Sequence, residues 1–329
     1  MSQPPLLLII WRRPHALRKV IDAVRSVAPD RIYVACDGPN PQRVGEEAKV
    51  AATRALIDSA IDWPCTVQKL YSDVNLGCRE GVSRAISWFF THEEEGIILE
   101  DDCVPHPDFF RFCSCLLEHF RTDTRIWSIC GSNFQHGQRH GDASYYFSIH
   151  GDSWGWATWR RAWKHYDAAA DQWLSFRDSG RLDDVFPIPE ERIYWVELLD
   201  RMIVRSEIDT WDFQWWLTSW MNHGLHVWPN APLISNIGFD ADSSHTFADC
   251  PEVVYGNASV SPLSVITHPE YILPSRVADH FVFFNRRYVA RPPTVSAPRG
   301  LNAWWYRVRA VRNEGLASYI RSRLHRLGQ

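Results

Sequence analysis

The chain has 329 residues, 45% of them hydrophobic, and 35 Lys and Arg against 39 Asp and Glu give a formal charge of −4. That apolar share builds a real core and excludes wholesale disorder, while the near-balanced charge excludes a general pull toward nucleic acid. No run approaches the roughly 20 apolar residues needed to cross a bilayer, and PLLLIIWRRP near the start is too short an apolar stretch for a secretory signal.

In chain order, LLLII reads as a buried strand, and PHALRKVIDAVRSVA as a helix with Leu17, Val20, Ile21, Val24 and Val27 at helical spacing. RIYVACDG is a second strand ending in a turn, EAKVAATRALIDSAID a second helix, CTVQKLYSD a third strand and CREGVSRAISWFF a third helix. GIILEDD is a fourth strand, HPDFFRFCSCLLEHF a helix opened by Pro107 and Asp108, and WSICGSN closes the series. Such alternation predicts an α/β fold with an open, mostly parallel sheet.

Residues 145–250 are less regular and rich in Trp, and read as the other wall of a site rather than a separate domain. The expected organisation is one domain over 1–290, with a nucleotide-binding half at 1–135 and an acceptor-side half at 136–290. ARPPTVSAPRG then reads as a linker into a tail over 291–329. There Arg307, Arg309, Arg312, Arg321, Arg323 and Arg326 lie among helically spaced apolar residues. That pattern suits an amphipathic helix on an anionic membrane surface, or equally a packed helix with a solvated basic face.

The eight cysteines are scattered without a CxxC pair, as expected of a reducing, cytoplasmic protein. The 17 tryptophans are read first as core and second as stacking platforms.

Candidate chemistry gathers where the strands end, at Arg12 and Arg13, Asp37 and Gly38, Asp73 to Gly77, and Glu100 to Asp102. Open parallel sheets bind ligands at such ends. Three adjacent carboxylates closing an apolar strand are costly unless a cation joins them or water bathes them. Mg²⁺ or Mn²⁺, which prefer hard oxygen ligands and substrate phosphates, answer that need. The bland alternative is a solvated acidic turn.

IILEDDCVPHPDFFRF, together with the order of motifs over roughly residues 5–250, resembles the GT-A-fold glycosyltransferases. It is most similar to family 2-like enzymes and to the glutamate-aspartate-aspartate motif of the N-acetylglucosaminyltransferase I group. The resemblance implies that Asp102 ligates the divalent cation, with Asp101 and Glu100 near the ribose, sugar or metal waters. By the same likeness Arg13 lies near the nucleotide, Asp37 reads the base, and Asn75 to Gly77 form the turn after the third strand. Gly155 and Trp156 would flank the donor sugar, with Trp154 and Trp156 as sugar platforms. Asp212 in TWDFQWW would be the general base of an inverting transfer, and His245 a further metal ligand. Asp209 or Thr210 suits the N-cap of the helix that follows, and the bland role of Asp212 is to complement that helix's dipole. Trp159 and Trp163 read as core.

The implied donor is a nucleoside-diphosphate sugar, by preference a uridine one, and the acceptor a glycan, lipid-linked or protein hydroxyl. Two other readings stay open. A sugar-phosphate nucleotidyltransferase would share the sheet, but WRRPH after the first strand has no glycine to cradle a triphosphate. A non-catalytic carbohydrate-binding protein would use the tryptophans and leave the three carboxylates unexplained.

Overall fold

The computed structural model describes residues 3–239, 263 and 265–287. The first half forms as the periodicities predict: Leu6–Ile10 (β1), Pro14–Arg25 (α1), Arg31–Cys36 (β2), Glu46–Ala60 (α2), Thr66–Tyr71 (β3), Gly77–His92 (α3) and Glu95–Glu100 (β4). A short strand, Cys103–Pro105 (β5), then precedes Pro107–His119 (α4) and Ile126–Cys130 (β6). The fourth strand ends at Glu100, so Asp101 and Asp102 leave the sheet in a turn.

The second half adds Tyr145–Ser148 (β7) and Trp156–Trp159 (β8), then short helices at Arg160–Trp163 (α5), Trp173–Asp178 (α6) and Leu182–Val185 (α7). Pro189–Leu199 (α8), Asp212–Met221 (α9), Leu225–Pro229 (β9), Ile234–Asn236 (β10) and Arg276–Val282 (α10) follow. Contacts divide the chain into Met1–Ala290 and Arg291–Gln329, and the described residues all lie in the first part.

Among the described residues the main sheet has eight strands, in the order β3-β2-β1-β4-β8-β6-β9-β7. β3, β2, β1 and β4 are parallel, β8 runs antiparallel to both β4 and β6, β9 is parallel to β6, and β7 is antiparallel to β9. This is the open, mostly parallel α/β sheet with flanking helices expected from the sequence. A second, two-stranded ribbon pairs β5 with β10.

Alternation along the central strands sorts the core into two layers, as a sheet covered on both faces requires. Leu6, Leu8 and Ile10 pack with Leu17, Val20 and Ile21 of α1 and with Phe109 and Phe112 of α4. Leu7, Tyr33 and Ile98 face the other way, toward Ile86 and Phe89 of α3 and Trp215 and Trp216 of α9. Helices α3 and α9 therefore share one face.

Most of the tryptophan content is core, as read. Trp127, Trp156, Trp159, Trp163, Trp173, Trp195, Trp211, Trp215, Trp216, Trp220 and Trp228 are all buried. Among the described residues the cysteines are free, and no helix is long and apolar enough to cross a membrane.

Candidate active site

From β1 the chain winds outward through β2 and β3, then returns to lay β4 on the other side of β1. The switch point thus falls between the carboxyl ends of β1 and β4. Register pairs Ile9 with Glu100, Ile10 with Cys36 and Cys36 with Tyr71. The segments leaving these strands therefore emerge side by side: Trp11 to Arg13, Asp37 and Gly38, Asn75 to Gly77, and Asp101 and Asp102.

The cation among the carboxylates is Arg13. Its Nε and Nη2 donate to Asp101 Oδ1 at 2.9 and 2.5 Å, and its Nη1 lies 2.8 Å from Asp102 Oδ2. The Trp11 backbone N–H donates to the other Asp101 oxygen at 3.0 Å. Asp101 and Asp102 are both buried. One guanidinium fork serving two adjacent buried carboxylates is the geometry that offsets their mutual repulsion. Burial, the largest single effect, pulls the Arg13 pKa down, but Asp101, Asp102 and Glu100 together carry it above its ordinary value. For Glu100, burial first and then the Asp102 charge push the pKa up to about 8. Arg13 pulls against that rise, while Asp101 and Asp212 add to it.

Asp37, expected to read a base, is engaged with backbone. Its carboxylate accepts from the N–H groups of Gly38, Leu76 and Gly77 at 2.8–3.1 Å and from the Asn75 side-chain amide at 3.0 Å. Asn75 also donates to the Gly38 carbonyl at 2.9 Å. Asp37 and Asn75 thus fasten the turn after β2 to the turn after β3, at the N-terminus of α3. Gly77 begins that helix with φ +83°, a left-handed conformation that favours glycine.

The N-terminus of α3 also joins the two halves of the sequence. Asp209 accepts from the Cys78 N–H at 2.8 Å and the Arg79 N–H at 3.3 Å. A Cβ on Gly77 would lie 2.6 Å from an Asp209 oxygen. Asp209 therefore caps α3 rather than the helix that follows it, and Thr210 instead donates its hydroxyl to Asp212 Oδ1 at 2.5 Å. Asp212 opens α9, next to the buried Trp211. The Asp212 charge bears on Glu100, and both bear on the Cys78 thiol, whose pKa burial and these neighbours drive far up. Arg13, Glu100, Asp101, Asp102, Cys78 and Asp212 form one electrostatic cluster spanning the β1 and β4 ends and the starts of α3 and α9.

The tryptophan turn divides. Trp156, expected beside the sugar, is 1% exposed and stacked on Trp211 at 5.6 Å, with Trp163 and Trp215 around it. It presents no face to a ligand, because it points to the α9 side of the sheet, where it backs the residue preceding Asp212. Trp154 is only partly buried, its ring edge-on to Phe134 and Phe239, with the Arg286 guanidinium 4.8 Å from its centroid. Gly155 between them has φ +65° and lies so close to the β10 ribbon that a Cβ would meet Ile234 at 2.5 Å.

The ribbon carries Gly238 against the acidic pair, where a Cβ would fall 1.9 Å from Asp102 Oδ2 and 2.8 Å from Arg13 Nη1. His245, expected as a metal ligand, lies outside the described residues. Local patterning offered Asp209 only as a cap for the helix that follows it and did not single out Gly238, because the partners of both lie far away in sequence.

No protein-family model matches the chain, and no curated protein matches it. Solved structures give partial likenesses. A mannosyltransferase from Pyrobaculum calidifontis, in complex with GDP-Man and Mn²⁺, aligns at 11% identity and TM-score 0.33 over 52% of each chain. The 4-diphosphocytidyl-2C-methyl-D-erythritol synthase of Anaerococcus prevotii aligns at 10% identity and TM-score 0.31, over 56% of this chain and 85% of its own. The glycosyltransferase GlyE of Streptococcus pneumoniae aligns at 10% identity and TM-score 0.30, over 68% and 62% respectively.

Proposed function

We propose that the chain is a glycosyltransferase that moves a sugar from a nucleoside-diphosphate donor to a hydroxyl acceptor, with inversion at the anomeric carbon. The observation that carries this reading is the pairing of Arg13 with Asp101 and Asp102 at the β1/β4 switch point, where the Asp212 charge also acts on Glu100. The narrower kinship with the N-acetylglucosaminyltransferase I group rests on the Glu100-Asp101-Asp102 run alone.

The donor set bears on the metal. Among the described residues no three His, Cys, Asp or Glu side chains converge as a ready cage. Mg²⁺ and Mn²⁺ are commonly held by one or two carboxylates plus substrate phosphates, and Asp102 offers one such carboxylate beside Glu100. The residues therefore fit an ion that enters with the nucleotide. Such an ion supplies positive charge to the departing diphosphate.

The protein's own groups do the rest. Asp212 takes the proton of the acceptor hydroxyl as its oxygen bonds to the anomeric carbon, and the bond to the diphosphate breaks with its electrons leaving on phosphate. Thr210 holds the Asp212 carboxylate by its other oxygen, and Arg13 stands ready for phosphate charge. A uridine diphosphate sugar is the favoured donor because the resembled enzymes use one. The nucleotidyltransferase alternative lacks a cradle: the turn from β1 into α1 contains no glycine, and α1 opens on Pro14. The test is Asp212→Asn. It is expected to lower turnover by about 10²–10⁴ while nucleotide binding, followed by calorimetry, is retained. Full activity in that variant contradicts the assignment.

A further inference from the structure

Arg13 does more than neighbour the nucleotide. We infer that Arg13 is the resident counter-ion of Asp101 and Asp102, and that it makes metal binding conditional on a diphosphate. The inference rests on the proposed role of Asp102 and concerns what must happen before that role begins.

The geometry separates the arms of the guanidinium. Nε and Nη2 hold Asp101, while Nη1 alone holds Asp102 Oδ2. Side-chain exposure is 15% for Arg13, 3% for Asp101 and 10% for Asp102, and the Gly238 backbone lies over the Asp102–Nη1 contact. A divalent cation approaching Asp102 alone therefore meets a carboxylate already paired with Nη1, from which it must be separated. Breaking a buried ion pair without replacing a partner is costly. A diphosphate changes the exchange, because its oxygens give Nη1 a new anion as Asp102 turns to the cation. Nη1 can make that exchange while Nε and Nη2 stay on Asp101. Ion and nucleotide are thus coupled, and the coupling is reciprocal.

The test uses Mn²⁺ itself as probe, counted by electron paramagnetic resonance, with UDP, GDP, CDP or dTDP present or absent. Wild type is expected to bind Mn²⁺ weakly alone and at least tenfold more tightly with one of the diphosphates. Arg13→Gln frees Asp102 and is expected to bind Mn²⁺ alone at least tenfold more tightly than wild type. Arg13→Lys, a point charge without the fork, is expected to fall between them, and Asp102→Asn to abolish binding in every background. If Arg13→Gln folds poorly, its melting temperature is expected to rise with Mn²⁺ alone, which that of wild type does not.

Mn²⁺ affinity in Arg13→Gln no greater than in wild type, with diphosphate-dependent binding intact, overturns the counter-ion inference and leaves the metal assignment standing. Absence of Mn²⁺ binding in every arm overturns both.

Discussion

The Asp209 carboxylate reaches across 131 residues of sequence to cap α3, and in doing so fixes the turn that presents Asp212. Removing it in Asp209→Ala leaves the Cys78 and Arg79 N–H groups without that acceptor. The expected cost is about 1 kcal/mol, or a fall of roughly 2–4 °C in Tm. Cys78, packed beneath this turn with Asp209, Thr210 and Asp212 around it, is expected to react faster with a thiol reagent in the variant. Unchanged melting and unchanged thiol reactivity would contradict the clasp. Residues at strand ends were legible in the sequence, because an apolar run that stops abruptly at Glu100 marks its own boundary. Asp209 was not, since a local reading assigns an aspartate before a helix to that helix. Trp156 shows a related ambiguity: the same side chain suits a platform or a core, and its burial against Trp211 at the start of α9 is not readable from local sequence.

Among the elements, α9 matters most to the account, and a buried histidine ties it to the sheet. His226 of β9 meets Ser128 of β6 through Nδ1 at 2.6 Å and Ser219 of α9 through Nε2 at 3.0 Å, and is fully buried. Burial, with His150 adding, pushes its pKa from an ordinary 6.5 down to about 3. Between these values the unfolded chain takes up a proton that the native ring refuses. The contribution of His226 to stability is therefore complete above pH 6.5 and is lost as pH falls toward 3. Urea unfolding at stepped pH is expected to show a loss of up to about 1.4 kcal/mol per unit from this group, absent in His226→Gln. An identical slope in the two proteins would contradict the burial argument. The first four strands and their helices were legible because largely apolar strands of five or six residues alternate with clean helical periods. Strands β7 to β9, with four or five residues each and rich in aromatics, carry too little periodicity to separate strand from buried helix. The reversal of β8 likewise depends on the Gly155 turn rather than on any strand signal.

For the whole molecule, strand order is what turns scattered motifs into a site. Returning β4 to the far side of β1 sets Arg13 against Asp101 and Asp102, and placing α3 and α9 on one face brings Asp212 toward Glu100. The α/β class followed from alternation of periods, whereas the order β4-β8-β6-β9 depends on long-range packing that no local pattern encodes. The central claim is that this switch point binds a nucleoside-diphosphate sugar through Asp102 and a divalent ion. The most direct measurement is a thermal-shift panel of uridine, guanosine, cytidine and thymidine diphosphate sugars, each with and without Mn²⁺. At about 100 times its dissociation constant, the right donor adds roughly 2.7 kcal/mol of stability. One nucleotide is expected to raise Tm only when Mn²⁺ is present, and Asp102→Ala is expected to remove the rise. No shift with any nucleotide and metal would contradict it, and would return the three carboxylates to a structural turn whose Asp101 and Asp102 pair with Arg13.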